Sequence, residues 1–215
     1  MLRNRKAPRI ALPIQTPRLQ LRLPTLRDVP AWYATLTEPR VVDLMLPDLP
    51  WTRGAVRQKV ASAREGARNG TLYELAVERR SDGAVVGRVA LKEVQLGPES
   101  RAILAYWMDP SVWGAGIASE AAHAVCRAGF GQLPLHRIDA EVFAFNARSQ
   151  RLLRGLGFRK EGEAREAIRY RGRWVSAWNF GLLRGELRSP PPTLRRPSLS
   201  LSSSSGARAR PATRS

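Results

Sequence analysis

The chain has 215 residues, of which 43% are hydrophobic, and a formal net charge of +18. This length and composition suit one globular domain with a full core, and no apolar run is long enough to predict a membrane-spanning helix. Half of the positive excess lies at the two ends, because residues 1–15 carry four basic side chains and residues 189–215 carry five, with no acidic residue in either segment.

The N-terminal part of the chain contains one predicted strand and two predicted helices. Residues 1–15 show no hydrophobic period and are expected to form a flexible basic extension. Leucines that alternate with polar residues at 19–23 predict a half-buried strand. Thr25 with Asp28 predicts the capping box of a first helix, and Thr52 is the candidate N-cap of a second one.

The central part is predicted as a hairpin followed by a strand, a glycine turn and a helix. Residues 72–78 and 85–94 predict two strands, because a Ser-Asp-Gly turn separates them. The continuous apolar run at 102–108 is typical of a buried strand. After the glycine turn at 113–117, small and apolar residues recur every three or four positions and predict a helix at 118–131.

The C-terminal part alternates again between strand and helix before its composition changes. Residues 136–143 predict a strand with one buried face, and Asn146 begins a short helix. Residues 163–170 and 174–183 flank Arg-Gly-Arg and predict a hairpin. Residues 189–215 are rich in proline, serine and arginine, so we expect a disordered tail that buries no core.

This order of elements predicts the α+β class. We expect a single domain over residues 16–188, built on a mixed, mostly antiparallel sheet of about seven strands that is flanked by helices.

The glycine turn is the segment of the chain with the clearest chemistry. Gly114 and Gly116, with a small residue between them, allow consecutive backbone N–H groups to point inward without a clash of Cβ atoms. The helix that follows adds its positive end to this cradle. Such an arrangement favours the binding of a phosphate group.

The neighbours of the turn resemble a known family. The segments AYWMDP and LHRIDAEV, the pair Asn146 and Ser149, and LLRGLGFRKEGE occur in an order that resembles the GNAT acetyltransferases, in particular the RimJ/RimL-type ribosomal-protein N-terminal acetyltransferases. The resemblance spans roughly residues 16–186. It implies a GNAT-like domain that moves an acetyl group from acetyl-CoA, without a metal, to a primary amine. That amine would belong to a protein N-terminus or to a small molecule. The resemblance also makes the ribosome a candidate partner of the protein.

The resemblance also implies which residues hold acetyl-CoA. Backbone N–H groups of Trp107, Met108 and Asp109 would bind the pantetheine arm and the thioester oxygen. Asn146 would contact the pantetheine or its sulfur, and Ser149 would donate a proton to the leaving thiolate. The pyrophosphate would lie on the loop that follows the strand, which comprises Trp113, Gly114, Ala115, Gly116, Ile117 and Ala118.

The general base and the acceptor site are less directly implied. Ile168 stands where the resemblance leads us to expect a glutamate, and Glu166 is the nearest carboxylate. Glu166 would share a face with Ile168 only if the strand is regular, and Glu163 and Glu161 are the alternatives. Trp51 is the candidate for binding the acceptor, because its proline-rich loop is expected to be exposed.

Two other functions and the location of the protein complete the expectations. A CoA-binding protein without turnover would fit the missing glutamate, and a nucleic-acid-binding module would fit the basic tails, although no recognised nucleic-acid motif is present. The basic N-terminal segment lacks the apolar core of a secretory signal, and Cys126 has no partner for an internal disulfide. We therefore expect a cytoplasmic monomer or homodimer without a membrane partner.

Overall fold

A computed structural model of the chain describes residues 8–45 and 51–189. The described strands form one sheet in the order β1-β2-β3-β4-β5-β6-β8-β7. The strands are β1 Ile14–Gln15, β2 Leu19–Arg22, β3 Tyr73–Arg79, β4 Val85–Gln95, β5 Arg101–Met108, β6 Arg137–Phe143, β7 Arg159–Tyr170 and β8 Arg173–Leu183. The α-helices are α1 Val29–Thr37, α2 Pro39–Val42, α3 Arg53–Asn69, α4 Ile117–Gln132 and α5 Ala147–Gly155.

The predicted α+β class and mixed, mostly antiparallel sheet are confirmed. Strands β5 and β6 are parallel, and the other neighbours in the sheet are antiparallel. The sheet has eight strands rather than about seven, because the two-residue strand β1 pairs with β2 and has no periodic pattern that sequence reasoning could detect.

Helices cover both faces of the sheet. On one face, α4 and α5 pack on side chains such as Leu75 and Val77 in the larger apolar cluster. On the other face, α1, α2 and α3 pack on Ala76 and Trp107. The adjacent residues Leu75, Ala76 and Val77 therefore face opposite layers, as strand geometry requires. None of the described helices combines the length and hydropathy that crossing a bilayer would need.

Residues 8–15 pack against the domain, which corrects the expectation that they belong to a flexible extension. Ile10 is 5% exposed, and its backbone N–H donates to the Tyr73 hydroxyl at 3.3 Å. The N–H of Ala11 donates to Oε1 of Gln132 at 2.6 Å. A single buried isoleucine leaves no period in the sequence, so only the packing identifies this segment. The remaining residues of the two predicted tails, 1–7 and 190–215, lie outside the described residues.

The predicted helix caps are present. The Asp28 carboxylate accepts from the Thr25 backbone N–H at 2.7 Å, within the capping box of the short turn that leads into α1. Thr52 Oγ1 accepts from the Ala55 N–H at the start of α3. These contacts are local, which is why the sequence could predict them.

Candidate active site

The site forms where β5 and β6 separate. The two strands pair only from Arg101 to Ile103 on β5 and from Arg137 to Asp139 on β6. Beyond these residues β5 continues to be paired with β4, while its other edge has lost its neighbour. Backbone groups on this edge of β5 therefore have no partner in the sheet.

The register of β5 decides which backbone groups point into the opening, and it corrects part of the prediction. The Asp109 N–H donates to the Val86 carbonyl at 2.9 Å, so the backbone N–H of Asp109 points toward β4. Since successive residues of a strand alternate, Trp107 also faces β4, and the N–H groups of Tyr106 and Met108 face the opening. The Met108 N–H thus faces the opening and its predicted role stays a prediction, whereas the N–H groups of Trp107 and Asp109 point toward β4.

The glycine turn has the backbone conformation that its composition predicts. Gly114 and Gly116 have positive φ angles of 81° and 74°, which other residues rarely adopt. Gly116 is the N-cap of α4, so the first N–H groups of this helix have no partner within the helix. Trp113 packs over the end of β5, because its Nε1 donates to the Met108 carbonyl at 2.9 Å.

An acidic residue near this helix end is neutralised by an arginine. Glu120 lies in the first turn of α4, where a free carboxylate would repel a bound phosphate. Its Oε2 is 2.6 Å from Nε of Arg18, and its Oε1 accepts from the Arg18 backbone N–H. The Arg18 side chain also donates to the Ala115 carbonyl at 2.8 Å and so links the residue just before β2 to the loop.

Two cavities meet in the opening between β5 and β6. The cleft, of about 260 Å³, is lined from α3 by Lys59, from β6 by Glu141 and Phe143, and by Trp51. The channel, of about 100 Å³, is lined by Trp113 of the glycine turn, by Ala118 in the first turn of α4, and by Val41, Met108, Arg148 and Leu152. Six residues line both cavities and form what we call the junction: Leu44, Met45, Tyr106, Trp107, Asn146 and Ser149.

The polar groups of the junction come from β5 and from the start of α5. Asn146 is buried, and its Oδ1 accepts from the Ser149 backbone N–H at 3.1 Å, so it is the predicted N-cap and also lines the junction. This contact leaves the Ser149 hydroxyl available to the cavities. Burial raises the pKa of Tyr106 to about 12, and the neighbouring Ser149 side chain offsets part of that rise.

The predicted carboxylates do not line either cavity. Glu166 is exposed and sits on a bulge with a positive φ of 49°, where the pairing of β7 with β8 shifts between Ala164 and Ile168. The regular alternation that would have placed it beside Ile168 is therefore interrupted. Glu161 pairs with Arg137, which lowers its pKa, and Glu163 pairs with Lys160 at 3.1 Å.

Sequence reasoning missed a carboxylate that does line the cleft. Glu141 lies on β6 and is exposed, in the part of the strand that has separated from β5. The sequence placed it on the polar face of its strand. Only the separation of the two strands turns that face into the wall of a cavity. Ile168, the residue at the position of the missing glutamate, lines the same cleft.

Cationic side chains flank both cavities. The Arg148 guanidinium lies 4.5 Å from the centre of the Trp113 ring at the channel. Lys59, Arg88 and Lys92 line the cleft, and the buried Arg88 has its Nε 2.9 Å from the Glu74 carboxylate. Trp51, the predicted acceptor residue, is half-buried beside Lys59, whose Nζ is 5.6 Å from its ring centre.

Comparison with known proteins agrees with this geometry. Residues 18–159 match the family described as "Acetyltransferase (GNAT) domain". The chain is 33% identical over 118 residues to the probable N-acetyltransferase YjcK of Bacillus subtilis, a match that covers 55% of the chain and 65%, just under two thirds, of YjcK. It is 29% identical over 177 residues to the uncharacterized N-acetyltransferase p20 of Bacillus licheniformis, covering 80% of the chain and 97% of p20.

A solved structure adds a similarity over most of the domain. Mycobacterium smegmatis RimJ in complex with CoA-disulfide superposes with a TM-score of 0.74 at 26% identity, and the match covers 86% of this chain and 93% of RimJ.

Proposed function

Because the chain belongs to the GNAT acetyltransferase domain family and is an acetyl-CoA-dependent acyltransferase, we propose that it acetylates the N-terminal α-amine of a polypeptide. The similarity to RimJ at 26% identity supports this proposal. Within the proposal, acetyl-CoA occupies the channel and the acceptor amine enters through the cleft.

The order of chemical groups along the two cavities carries the proposal. Arg148, Trp113 and Ala118 line the channel but not the cleft, Ser149 and Asn146 lie at the junction, and Glu141 lines the cleft but not the channel. Phosphate-binding groups, a proton donor and a proton acceptor are thus arranged in the order in which acetyl transfer would use them. The free N–H groups at the edge of β5 lie between them.

Each group has a task in a direct transfer. Glu141 accepts the proton of the attacking amine, and an N–H of Tyr106 or Met108 donates to the oxygen that becomes negative. One such oriented donor typically contributes roughly 3–4 kcal/mol to lowering the barrier. As the C–S bond breaks, the electron pair goes to sulfur, and Ser149 donates a proton to it.

The charge of the cleft supports a neutral or acidic acceptor over a polyamine. Three cations line it, Lys59, Arg88 and Lys92, against two carboxylates: Glu141 on the same cleft and Glu74, which pairs with both Arg88 and Lys59. Nearby positive charges lower the pKa of an amine and so favour the uncharged form that attacks the thioester. A polyamine would bring additional positive charges into the same space.

A thiol-release assay on the full-length protein tests the acceptor class. The panel contains short peptides with free N-termini, including ribosomal-protein N-termini, the same peptides with a blocked N-terminus, a small monoamine and spermidine. We expect release of CoA only with free N-termini. Equal rates with blocked peptides that retain a lysine, or a preference for spermidine or the monoamine, would contradict the proposal. Binding of acetyl-CoA without release above hydrolysis would instead favour a silent CoA-binding protein.

The assignment of the base predicts different effects for two glutamates. Glu141→Gln should lower kcat by about 100-fold or more, since general bases typically contribute factors of this size. Glu166→Gln is the matched control, because Glu166 is exposed and lines neither cavity. We expect it to retain nearly full activity in the same assay. A larger loss of kcat in Glu166→Gln than in Glu141→Gln would identify Glu166 as the general base instead.

A further inference from the structure

The fold encloses the hydroxyl of Tyr106 without satisfying it. Its oxygen is inaccessible to solvent and has no hydrogen-bond partner in the described part of the chain. An unsatisfied buried hydroxyl destabilises a fold, and phenylalanine would fill the same volume without this cost. The hydroxyl therefore calls for an explanation outside the stability of the domain.

The surroundings of Tyr106 point to the reaction. The residue lines both cavities at the junction together with Ser149, and Ser149 and Cys126 both affect the pKa of its hydroxyl. Cys126 is fully buried, and burial raises the pKa of its thiol, so it stays protonated and is a weak hydrogen-bond acceptor. The Ser149 oxygen is therefore the better acceptor of the two.

We propose that Tyr106 is a positioning residue that donates its O–H to Ser149 Oγ, so that the Ser149 O–H points at the thioester sulfur. A serine hydroxyl rotates freely, and a fixed donor on one of its lone pairs restricts where its own proton points. The inference rests on the proposed function, because the donor role of Ser149 belongs to it.

The protons balance without a charged tyrosine. The C–S bond breaks, sulfur takes the electron pair and the proton of Ser149, and Ser149 regains a proton from solvent. Glu141 returns to solvent the proton that it took from the amine. Tyr106 only donates a hydrogen bond and remains protonated, which agrees with its pKa of about 12.

Tyr106→Phe should change activity and stability in different ways. We expect kcat to fall about tenfold, as loss of one orienting hydrogen bond implies, with the KM for acetyl-CoA unchanged within about twofold. The Tm should stay the same or rise, because an unsatisfied hydroxyl has been removed. Tyr73→Phe is the matched control: its hydroxyl is also buried but accepts from Ile10 at 3.3 Å, so the Tm should fall while kcat is retained.

A double-mutant cycle tests whether Tyr106 acts through Ser149. Ser149→Ala keeps the helix cap, since Asn146 binds the backbone N–H of residue 149. In the Ser149→Ala background, Tyr106→Phe should have no further effect on kcat. Additive losses, or an unchanged kcat in the single variant, would overturn the inference while leaving the proposed function intact.

A structure of the wild-type protein with CoA provides a test that needs no acceptor. We expect Tyr106 Oη within about 3.2 Å of Ser149 Oγ, with the sulfur on the other side of the serine oxygen. A Tyr106 hydroxyl directed at Cys126, or a CoA sulfur far from Ser149, would refute the positioning role of Tyr106. This result would hold even if no peptide in the panel were acetylated.

Discussion

Arg148 is the residue whose substitution should affect the binding of acetyl-CoA without affecting the binding of the acceptor amine. It lies on the channel but not on the cleft, and its guanidinium rests 4.5 Å from the Trp113 ring centre, next to the glycine turn. Stacking on an aromatic ring holds a long side chain in place. The positive charge is therefore fixed where the phosphates of acetyl-CoA would enter.

Arg148→Ala should raise the KM for acetyl-CoA about fivefold, with less effect on kcat, because an exposed charged contact contributes about 1 kcal/mol. The effect should weaken as the salt concentration rises. Arg151→Ala is the matched control, since Arg151 is an exposed arginine of the same helix that does not line the channel. Similar KM values for the two variants would mean that Arg148 does not contact the cosubstrate.

At the scale of elements, the start of α1 is held by a buried carboxylate. Asp28 is 4% exposed, and its two oxygens accept from Nη1 and Nη2 of Arg22 at 2.7 and 2.9 Å. The same carboxylate caps the turn through Thr25. Burial alone would raise the pKa of Asp28, but the contacts with Arg22 and Thr25 outweigh it and lower that pKa. This one residue therefore ties α1 to β2.

Asp28→Asn should lower the free energy of unfolding by about 2 kcal/mol at neutral pH, since it leaves part of a buried ion pair without its partner. Because folding lowers the pKa of Asp28, its contribution is complete above the ordinary value of about 3.9 and is lost as the pH falls below it. Denaturant unfolding from pH 7 to pH 3 should therefore show a smaller difference between variant and wild type in acid.

The exposed pair of Arg79 and Asp82 provides the control for Asp28. Asp82→Asn should leave the unfolding curve at pH 7 nearly unchanged, because solvent screens a surface pair. An equal loss of stability in both variants would contradict the role given to the buried carboxylate.

At the scale of the whole molecule, residues 8–15 link three parts of the domain. Ile10 contacts β3 through Tyr73, Ala11 contacts the end of α4, and Ile14–Gln15 adds a strand to the edge of the sheet. The domain therefore extends further toward the N-terminus than the predicted limit at residue 16.

Deleting residues 1–15 should lower the Tm by about 5 °C or more, because burial of one isoleucine is worth about 1.5–3 kcal/mol and each kcal/mol shifts the Tm by about 2–4 °C in a chain of this size. A chain that begins at residue 8 is the matched control, since it keeps every contact described for Ile10 and Ala11. Differential scanning calorimetry would decide. Equal Tm values for the two truncations would contradict the structural role of residues 8–15.

The sequence by itself determined the features that depend on neighbouring residues. The caps at Thr25, Thr52 and Asn146 each involve a contact three residues away, and the glycine turn needs only the freedom of Gly114 and Gly116 to adopt positive φ angles. These local rules, together with the order of strands and helices, were sufficient to predict the fold class. The resemblance of the motifs was sufficient for the family.

The tertiary structure decided which groups reach the cavities. The opening exists because β5 and β6 pair over only three residues each. The register of β5 with β4 directs the backbone N–H groups of Tyr106 and Met108 toward this opening. A bulge at Glu166 interrupts the alternation that would have placed this residue beside Ile168, and Glu166 does not line the cleft. Glu141 lines it instead, because the strand that carries Glu141 separates from β5. Strand pairing joins residues far apart in the chain, and a one-residue shift reverses the direction of every side chain, so no local pattern contains this information.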